Sequence, residues 1–194
     1  MPLAPQEQKT LLTLAREAIA CTVHHQDLPP VEPNAVTEVL RRDGASFVTL
    51  TKRGQLRGCI GSLEPRRSLV LDVRENAVSA ALHDPRFPPV SAEELDILRI
   101  EISVLSIPQL VPYDGPDDLI AKLRPGVDGV VIERGWHRST FLPQVWEKLP
   151  SPHQFLEHLC LKAHLPTDAY HHPGLDVYTY QVEKFEEEEV GKRG

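Results

Sequence analysis

SFVTLTKRGQLRGCIG, Ser46 to Gly61, decides the fold, because it reads as two largely apolar runs folded back on each other about Arg53-Gly54. If the second run is extended, Arg57 and Cys59 point one way and Leu56 and Ile60 the other. Guanidinium and thiol then share a face. A neighbouring positive charge favours the thiolate, the form that attacks electrophiles and binds metals. Gly58 and Gly61 lack side chains and leave room for a bulge, a ligand or a second backbone segment. Cys59 is thus a candidate nucleophile, Arg57 its activating charge, and Gly58 and Gly61 a candidate binding surface.

The same stretch also reads as core, since free cysteine is among the most buried residue types. A two-residue turn at Arg53-Gly54 pairs Val48 with Cys59 and Leu50 with Arg57, which sets aliphatic side chains on the cysteine's face. Arginine fits the first position of such a turn poorly, and a three-residue loop with a bulge changes the register and reverses that conclusion. The register therefore decides between a reactive and a packing Cys59.

Beyond the hairpin, Ser68 is a good N-cap for a helix running to about Asp84. Val70, Val73, Ala77, Ala80 and Ala81 form its buried stripe, and the alanines imply close packing. Asp72, Asn76, Ser79 and His83 recur along another face that ends at His83-Asp84-Pro85-Arg86-Phe87. If that helix end folds against the hairpin, Cys59, Arg57, His83, Asp84 and Arg86 form one polar cluster, with roles resembling nucleophile, activating charge, base and orienter. Ser91 to Glu94 is a capping box opening a short helix. Ile97 to Ser106 alternates as a strand with one wet face, where Glu101 is either a carboxylate for the same site or a surface residue paired with a cation.

Further on, Asp117 to Leu123 reads as a short helix. Gly126 to Glu133 and Trp136 to Phe141 are strands joined at Arg134-Gly135. Thr140 and Gln144, at a strand-to-helix junction, offer neutral hydrogen-bonding groups to a ligand or serve as caps. Ser151 and Pro152 open a helix with Phe155, Leu156, Leu159, Cys160 and Ala163 facing inward. Asp176 to Phe185 reads as one strand with Tyr178, Tyr180 and Val182 on one face, followed by an acidic, flexible tail over 186–194. On the N-terminal side, Pro5 starts a helix carrying Leu11, Leu14, Ala15, Ala18 and Ile19 at helical spacing, with Cys21 as a packing residue in its last turn. A second helix covers Asn34 to Arg42.

Composition narrows the function classes. The 194 residues are 41% hydrophobic and 25% charged, ordinary for a globular chain able to bury a core. No apolar run reaches membrane-spanning length and Met1 to Pro5 lacks the features of a secretion signal, so the expectation is a cytoplasmic protein without membrane contact. Cys21, Cys59 and Cys160 make neither a disulfide framework nor a metal knuckle. His153, His158, His164, His171 and His172 match no compact ligand spacing, so no metal site is assigned and no cofactor is identified. Lys52, Arg53, Arg57, Arg66 and Arg67 form a local basic cluster. The formal charge of −7 and the lack of interleaved aromatic residues nevertheless disfavour nucleic-acid binding. Mixed strands and helices, tight hairpins and no regular strand–helix–strand repeat give an α+β fold, mainly antiparallel sheet with flanking helices.

Taken in order, FVTLTKRGQLRGCIGSLEP, DVRENAVSAALHDPRFPPVSAEEL, IEISVLS, GVDGVVIERG and FLPQVW resemble the AMMECR-one family, whose hallmark is LRGCIG. The resemblance implies a single domain over 1–194 made of two lobes, the larger containing both termini, with the family's characteristic residues around a cleft between them. Prokaryotic members resemble component A of the AmmeMemoRadiSam system, which implies a Memo-like protein and a radical SAM enzyme as partners. It names no reaction, because the family's biochemical activity is not established. An enzyme or enzyme component centred on Cys59 is the leading expectation. A non-catalytic interaction module is the alternative, and a nucleic-acid binder ranks third.

Overall fold

The structure, a computed structural model, describes residues 2–32 and 35–187. In chain order its elements are α1 (Pro5–Val23), α2 (Glu38–Arg41), β1 (Asp43–Lys52), β2 (Gln55–Gly61), β3 (Arg67–Ser68), α3 (Leu69–Leu82), β4 (Leu98–Leu105), β5 (Gln109–Leu110), α4 (Pro116–Lys122), β6 (Gly129–Arg134), β7 (His137–Phe141), α5 (Pro152–Lys162), β8 (Asp176–Tyr180) and β9 (Val182–Glu186). The chain divides into two units, Met1–Leu105 with Glu183–Gly194, and Ser106–Val182. The fold is α+β, with helices on antiparallel strands.

In the first unit the strand order is β2-β1-β4-β9, and β3 pairs with the start of β1. β1 runs antiparallel to β2, β3 and β4. Its even-numbered positions Val48 and Leu50 align with Ile102 and Ile100 of β4, and all four are fully buried beneath α1 and α3. α1 starts at Pro5, where a missing N–H costs nothing, and Glu7 reaches back to accept the Ala4 N–H at 2.8 Å. Leu11, Ala15, Ala18 and Ile19 are its buried stripe.

α3 carries alanines where it lies nearest the sheet. A Cβ built at Gly58 would stand 2.1 Å from the Ala80 carbonyl oxygen, so this position of β2 accepts only glycine if α3 keeps its place. The polar stripe of α3 divides. Asp72 and Asn76 turn inward and are buried, whereas Ser79 is half-buried and His83 exposed. The Asp72 carboxylate accepts the Ser46 N–H at 2.8 Å and the hydroxyls of Ser46 and Ser62 at 2.7 Å each. Asn76 Nδ2 donates to Asp72 at 2.9 Å and to the Ser46 carbonyl at 3.0 Å. This network answers the buried polar groups where α3 crosses the sheet.

The second unit has strand order β5-β8-β6-β7. Its core gathers Val130, Ile132 and Val177 from the sheet with Phe155, Leu156, Leu159 and Cys160 from α5. Trp146 stacks on Phe155 at 3.7 Å between centroids. Asp128 is buried, accepts the Arg124 N–H at 3.0 Å and its guanidinium at 2.6 Å, and takes a hydrogen bond from Gln181.

Four local expectations change. The helix placed over Asn34 to Arg42 is a single turn, Glu38–Arg41, and Asn34 lies outside the described residues. The second hairpin turns at Gly135-Trp136 rather than Arg134-Gly135, because Arg134 still pairs with His137 and Gly135 alone has positive φ, 59°. Trp136 is left fully exposed at the tip. The strand expected from Asp176 to Phe185 breaks at Gln181, whose N–H goes to Ser106 Oγ at 2.9 Å, so Tyr178 and Val182 belong to different sheets. Of the tail expected over 186–194, Glu186 ends β9 and Glu187 binds Arg16 and the Ile100 N–H, while 188–194 lie outside the described residues.

Candidate functional site

Arg53 and Gly54 have φ of 52° and 78°, a type I′ turn despite the arginine. From it the register runs Lys52 with Gln55 and Thr51 with Leu56, then slips, so that Leu50 faces Gly58, Thr49 faces Cys59 and Val48 faces Ile60. Arg57 is the extra residue of a β-bulge. The result differs from both registers drawn from the sequence: the turn is the two-residue form, yet Cys59 lies opposite Thr49 and not Val48.

The bulge also redirects Arg57. Its Nε and Nη2 donate to the two Glu94 oxygens at 3.0 and 2.9 Å, and Nη1 and Nη2 donate to the carbonyls of Pro88 and Pro89. Only 9% of Arg57 is exposed, so it fastens the 88–94 segment to β2. Glu94 is the capping-box residue, accepting the Ser91 N–H, and it also receives Lys52 at 2.8 Å. The Arg57 hydrogen bond, with those of Lys52 and Ser91, outweighs desolvation and lowers its carboxyl to about 2.

Arg86 stands beside Cys59 instead. β2 is an edge strand, and on its open side Asp84 Oδ2 accepts the Cys59 N–H at 2.8 Å while Arg86 Nη2 donates to the Cys59 carbonyl at 3.2 Å. Arg86 grips Asp84 with Nε at 2.9 Å and Nη2 at 2.6 Å. The pair therefore supplies the edge with the partners a neighbouring strand would give. That guanidinium holds the buried Asp84 carboxyl well below its ordinary range, against desolvation. Arg86 is in turn raised, first by Asp84 and further by Cys59. The Phe87 ring lies 5.5 Å from the Arg86 guanidinium carbon and 6.0 Å from that of Arg57.

Cys59 itself is free and half-buried, and the Thr49 hydroxyl donates to its sulfur at 3.3 Å. Thr49 also faces Glu101 across β4, so Cys59, Thr49 and Glu101 form one rung over three strands. Glu101 has the Lys184 ammonium 4.0 Å away. His83 is the exposed C-cap of α3, its backbone N–H given to the Ser79 carbonyl at 2.8 Å, and its ring takes no part in the hydrogen bonds that join these residues. Space at the glycines goes to the protein: the Ala80 carbonyl fills it at Gly58, and the Phe47 ring and Ser46 carbonyl fill it at Gly61.

Thr140 and Gln144 belong to the second unit. Thr140 Oγ1 shares a hydrogen bond with the Tyr180 hydroxyl at 3.1 Å, and Gln144 is exposed. Cys160 is fully buried, and desolvation pushes its thiol up. Among the described residues no three His, Cys, Asp or Glu side chains converge as metal ligands, and no helix is long and apolar enough to cross a membrane. Of the five residues of the basic cluster, four are paired within the chain, Lys52 and Arg57 on Glu94, Arg66 on Glu64 and Arg67 on Glu75.

Sequence reasoning missed Thr49 and Glu94. Thr49 emerges only once the bulge sets the register. Glu94 was visible as a cap, but nothing local marks it as the partner of Arg57.

An α+β protein whose glycine-flanked cysteine sits on an edge strand, clamped by an Asp–Arg pair, defines the class. Residues 12–185 match the family described as AMMECR1, and the chain belongs to that family. A protein of Methanothermobacter thermautotrophicus is 42% identical over 96% of this chain and 97% of its own length. Protein MK0488 of Methanopyrus kandleri is 38% identical over 96% and 91%. The crystal structure of the uncharacterized protein PH0010 from Pyrococcus horikoshii superposes with a TM-score of 0.75 at 34% identity, covering 96% of this chain and 94% of that one.

Proposed function

We propose that this chain is an enzyme or enzyme component that works through Cys59 on a small-molecule or protein substrate in the cytoplasm. The observation that carries the reading is a half-buried free thiol on an edge strand whose Cys59 N–H and carbonyl are held by Asp84 and Arg86. Such a clamp fixes the sulfur in place, and fixed geometry is what a nucleophile needs. Arg86 takes the place beside Cys59 first drawn for Arg57, its Nη2 held on the Cys59 carbonyl. Thr49 orients the sulfur, and Glu101, with the Lys184 ammonium near it, closes the same rung one strand beyond Thr49 as a polar group facing a bound substrate. A Memo-like protein and a radical SAM enzyme are the proposed partners, on the strength of the family resemblance.

A second reading, a non-catalytic interaction module, is favoured by the use made of the hallmark residues. Arg57, Gly58 and Gly61 all serve to hold the fold together. Internal pairing of Lys52, Arg57, Arg66 and Arg67 argues against a nucleic-acid partner.

Site-resolved mass spectrometry of alkylation at neutral pH separates the readings, with Cys21 and Cys160 as internal references. Under the first, Cys59 is modified much faster than Cys160 in the folded protein, Arg86→Ala slows it several-fold, and His83→Ala leaves it nearly unchanged. Modification of Cys59 only on unfolding makes it a packing residue and leaves the interaction module.

A further inference from the structure

The second place where the first unit offers chemistry lies away from Cys59, between α1 and the segment that follows it. A cavity of about 430 Å³ opens there, within the usual range of small-ligand sites, roughly 300–1,000 Å³. Leu14 and Ala18 of α1, with Leu28, Val31 and Val36, give it an apolar wall, and Arg74 of α3 reaches into the lining.

Arg74 is the informative residue. Among the described residues, the chain closes the Nε/Nη2 fork of five other arginines on a carboxylate of its own: Arg16 on Glu187, Arg57 on Glu94, Arg66 on Glu64, Arg86 on Asp84 and Arg124 on Asp128. Arg74 presents the same fork differently. Its Nη1 donates to the Pro29 carbonyl at 3.2 Å, which anchors the guanidinium, while its Nε is buried with no hydrogen-bond partner among the described residues. A buried donor without an acceptor is a rare cost in a folded protein and calls for an acceptor from outside the chain. The two parallel N–H groups of that edge match a carboxylate, and the apolar wall matches what such a carboxylate would be attached to. Lys9, exposed in the lining, adds a second cation, and the exposed Glu17 and Glu32 leave the site short of a large net positive charge. That balance suits one carboxylate better than a multiply charged phosphate.

We propose that this cavity binds a small amphipathic carboxylate, its apolar body against Leu14, Ala18 and Val31 and its carboxylate on the Nε edge of Arg74. The site is independent of Cys59, so the failure of either proposal leaves the other standing.

The test titrates the full chain with octanoate and 3-phenylpropanoate, using 1-octanol and acetate as controls, and follows the NMR signals of Leu14, Val31 and Val36. Both amphipathic carboxylates should shift these signals saturably, and acetate should bind far more weakly. Arg74→Gln should weaken octanoate about tenfold or more, the loss of one charge-assisted interaction, while 1-octanol is unaffected. Thr13→Trp, at an exposed position in the lining, should abolish binding of both octanoate and 1-octanol with the thermal midpoint preserved. The proposal is overturned if octanoate and 3-phenylpropanoate cause no saturable shift at millimolar concentration, if acetate binds as well as octanoate, or if Arg74→Gln binds octanoate as tightly as the wild type.

Discussion

The two units solve one problem, seating helices on a small sheet, by different means. In the first, α3 descends until its backbone meets the strand, and the limit is the missing side chain of Gly58. In the second, the space is filled by rings, Trp146 stacked on Phe155 with its indole N–H given to the Asp128 carbonyl at 2.7 Å. Both units bury an aspartate under the fork of a more exposed arginine, Asp84 under Arg86 and Asp128 under Arg124. Asp84 also accepts two backbone N–H groups, those of Cys59 and Arg86, and Asp128 accepts one, that of Arg124. What differs is the cargo. Asp84 holds the strand that bears a half-buried thiol, whereas Asp128 holds loops around an aromatic core. A buried Asp–Arg pair is therefore a fastening device in this chain, and it is the group left beside the pair that separates a candidate site from a structural one.

The largest effect should come from the close approach. Gly58→Ala forces a Cβ onto a backbone oxygen that can move only with α3, so it should cost about 3 kcal/mol or more. Gly129→Ala meets the Tyr180 ring at 2.3 Å, and since a side chain can yield, the cost should be smaller, about 1–3 kcal/mol. Urea denaturation of both variants checks the order, and a larger loss at Gly129 breaks the contrast between backbone and ring packing.

Next come the aspartates. Asp84→Ala strands two backbone donors and Asp128→Ala one, and each should cost on the order of 1–3 kcal/mol. Their arginines are exposed enough to turn to water. The contrast lies in a second readout: only Asp84→Ala should change the alkylation rate of Cys59. Equal changes in both variants would mean that the clamp is not specific to the thiol.

The pH dependence sharpens the same picture. Glu94 falls from an ordinary 4.5 to about 2 in the folded protein, chiefly through Arg57. The group's folded value is depressed, so its contribution is complete above about 4.5 and is lost as pH drops toward 2. Glu94→Gln should flatten the fall in stability across that window, measured as thermal midpoint against pH. The smallest expected effect is that of Thr49→Val, under about 1 kcal/mol for one hydrogen bond to sulfur, with a few-fold change in Cys59 alkylation as the more sensitive readout.

How much of this was legible in the chain depends on how local its cause is. The turn at Arg53-Gly54, the capping box at Ser91 and the buried face of α5 follow from neighbours in sequence, and each forms. That Asp84 and Arg86 sit together follows from the abrupt end of α3, whereas their meeting with Cys59 stood only as a condition, that this helix end folds against the hairpin. Their purpose was not foreseeable. The bulge at Arg57 is held by Pro88, Pro89 and Glu94, whose identity as partners no local pattern carries. One slipped residue then exchanged Val48 for Thr49 opposite the thiol. The break at Gln181 was hidden for the same reason: no glycine or proline marks it, and its cause is Ser106, far back in the chain.

That break has a bearing on ancestry. The second unit begins at Ser106 and ends at Val182, and its two ends touch, since the Ser106 N–H reaches the Gln181 carbonyl at 2.9 Å and the Gln181 N–H returns to the Ser106 hydroxyl. A segment whose ends are already neighbours has the topology of an insertion, because a two- or three-residue splice could replace it without pulling the host strands apart. β4 and β9 would then be joined as an ordinary hairpin. The gene can be read accordingly as a host sequence interrupted by a guest, in which lengthening, exchange or loss of the guest is an available evolutionary step.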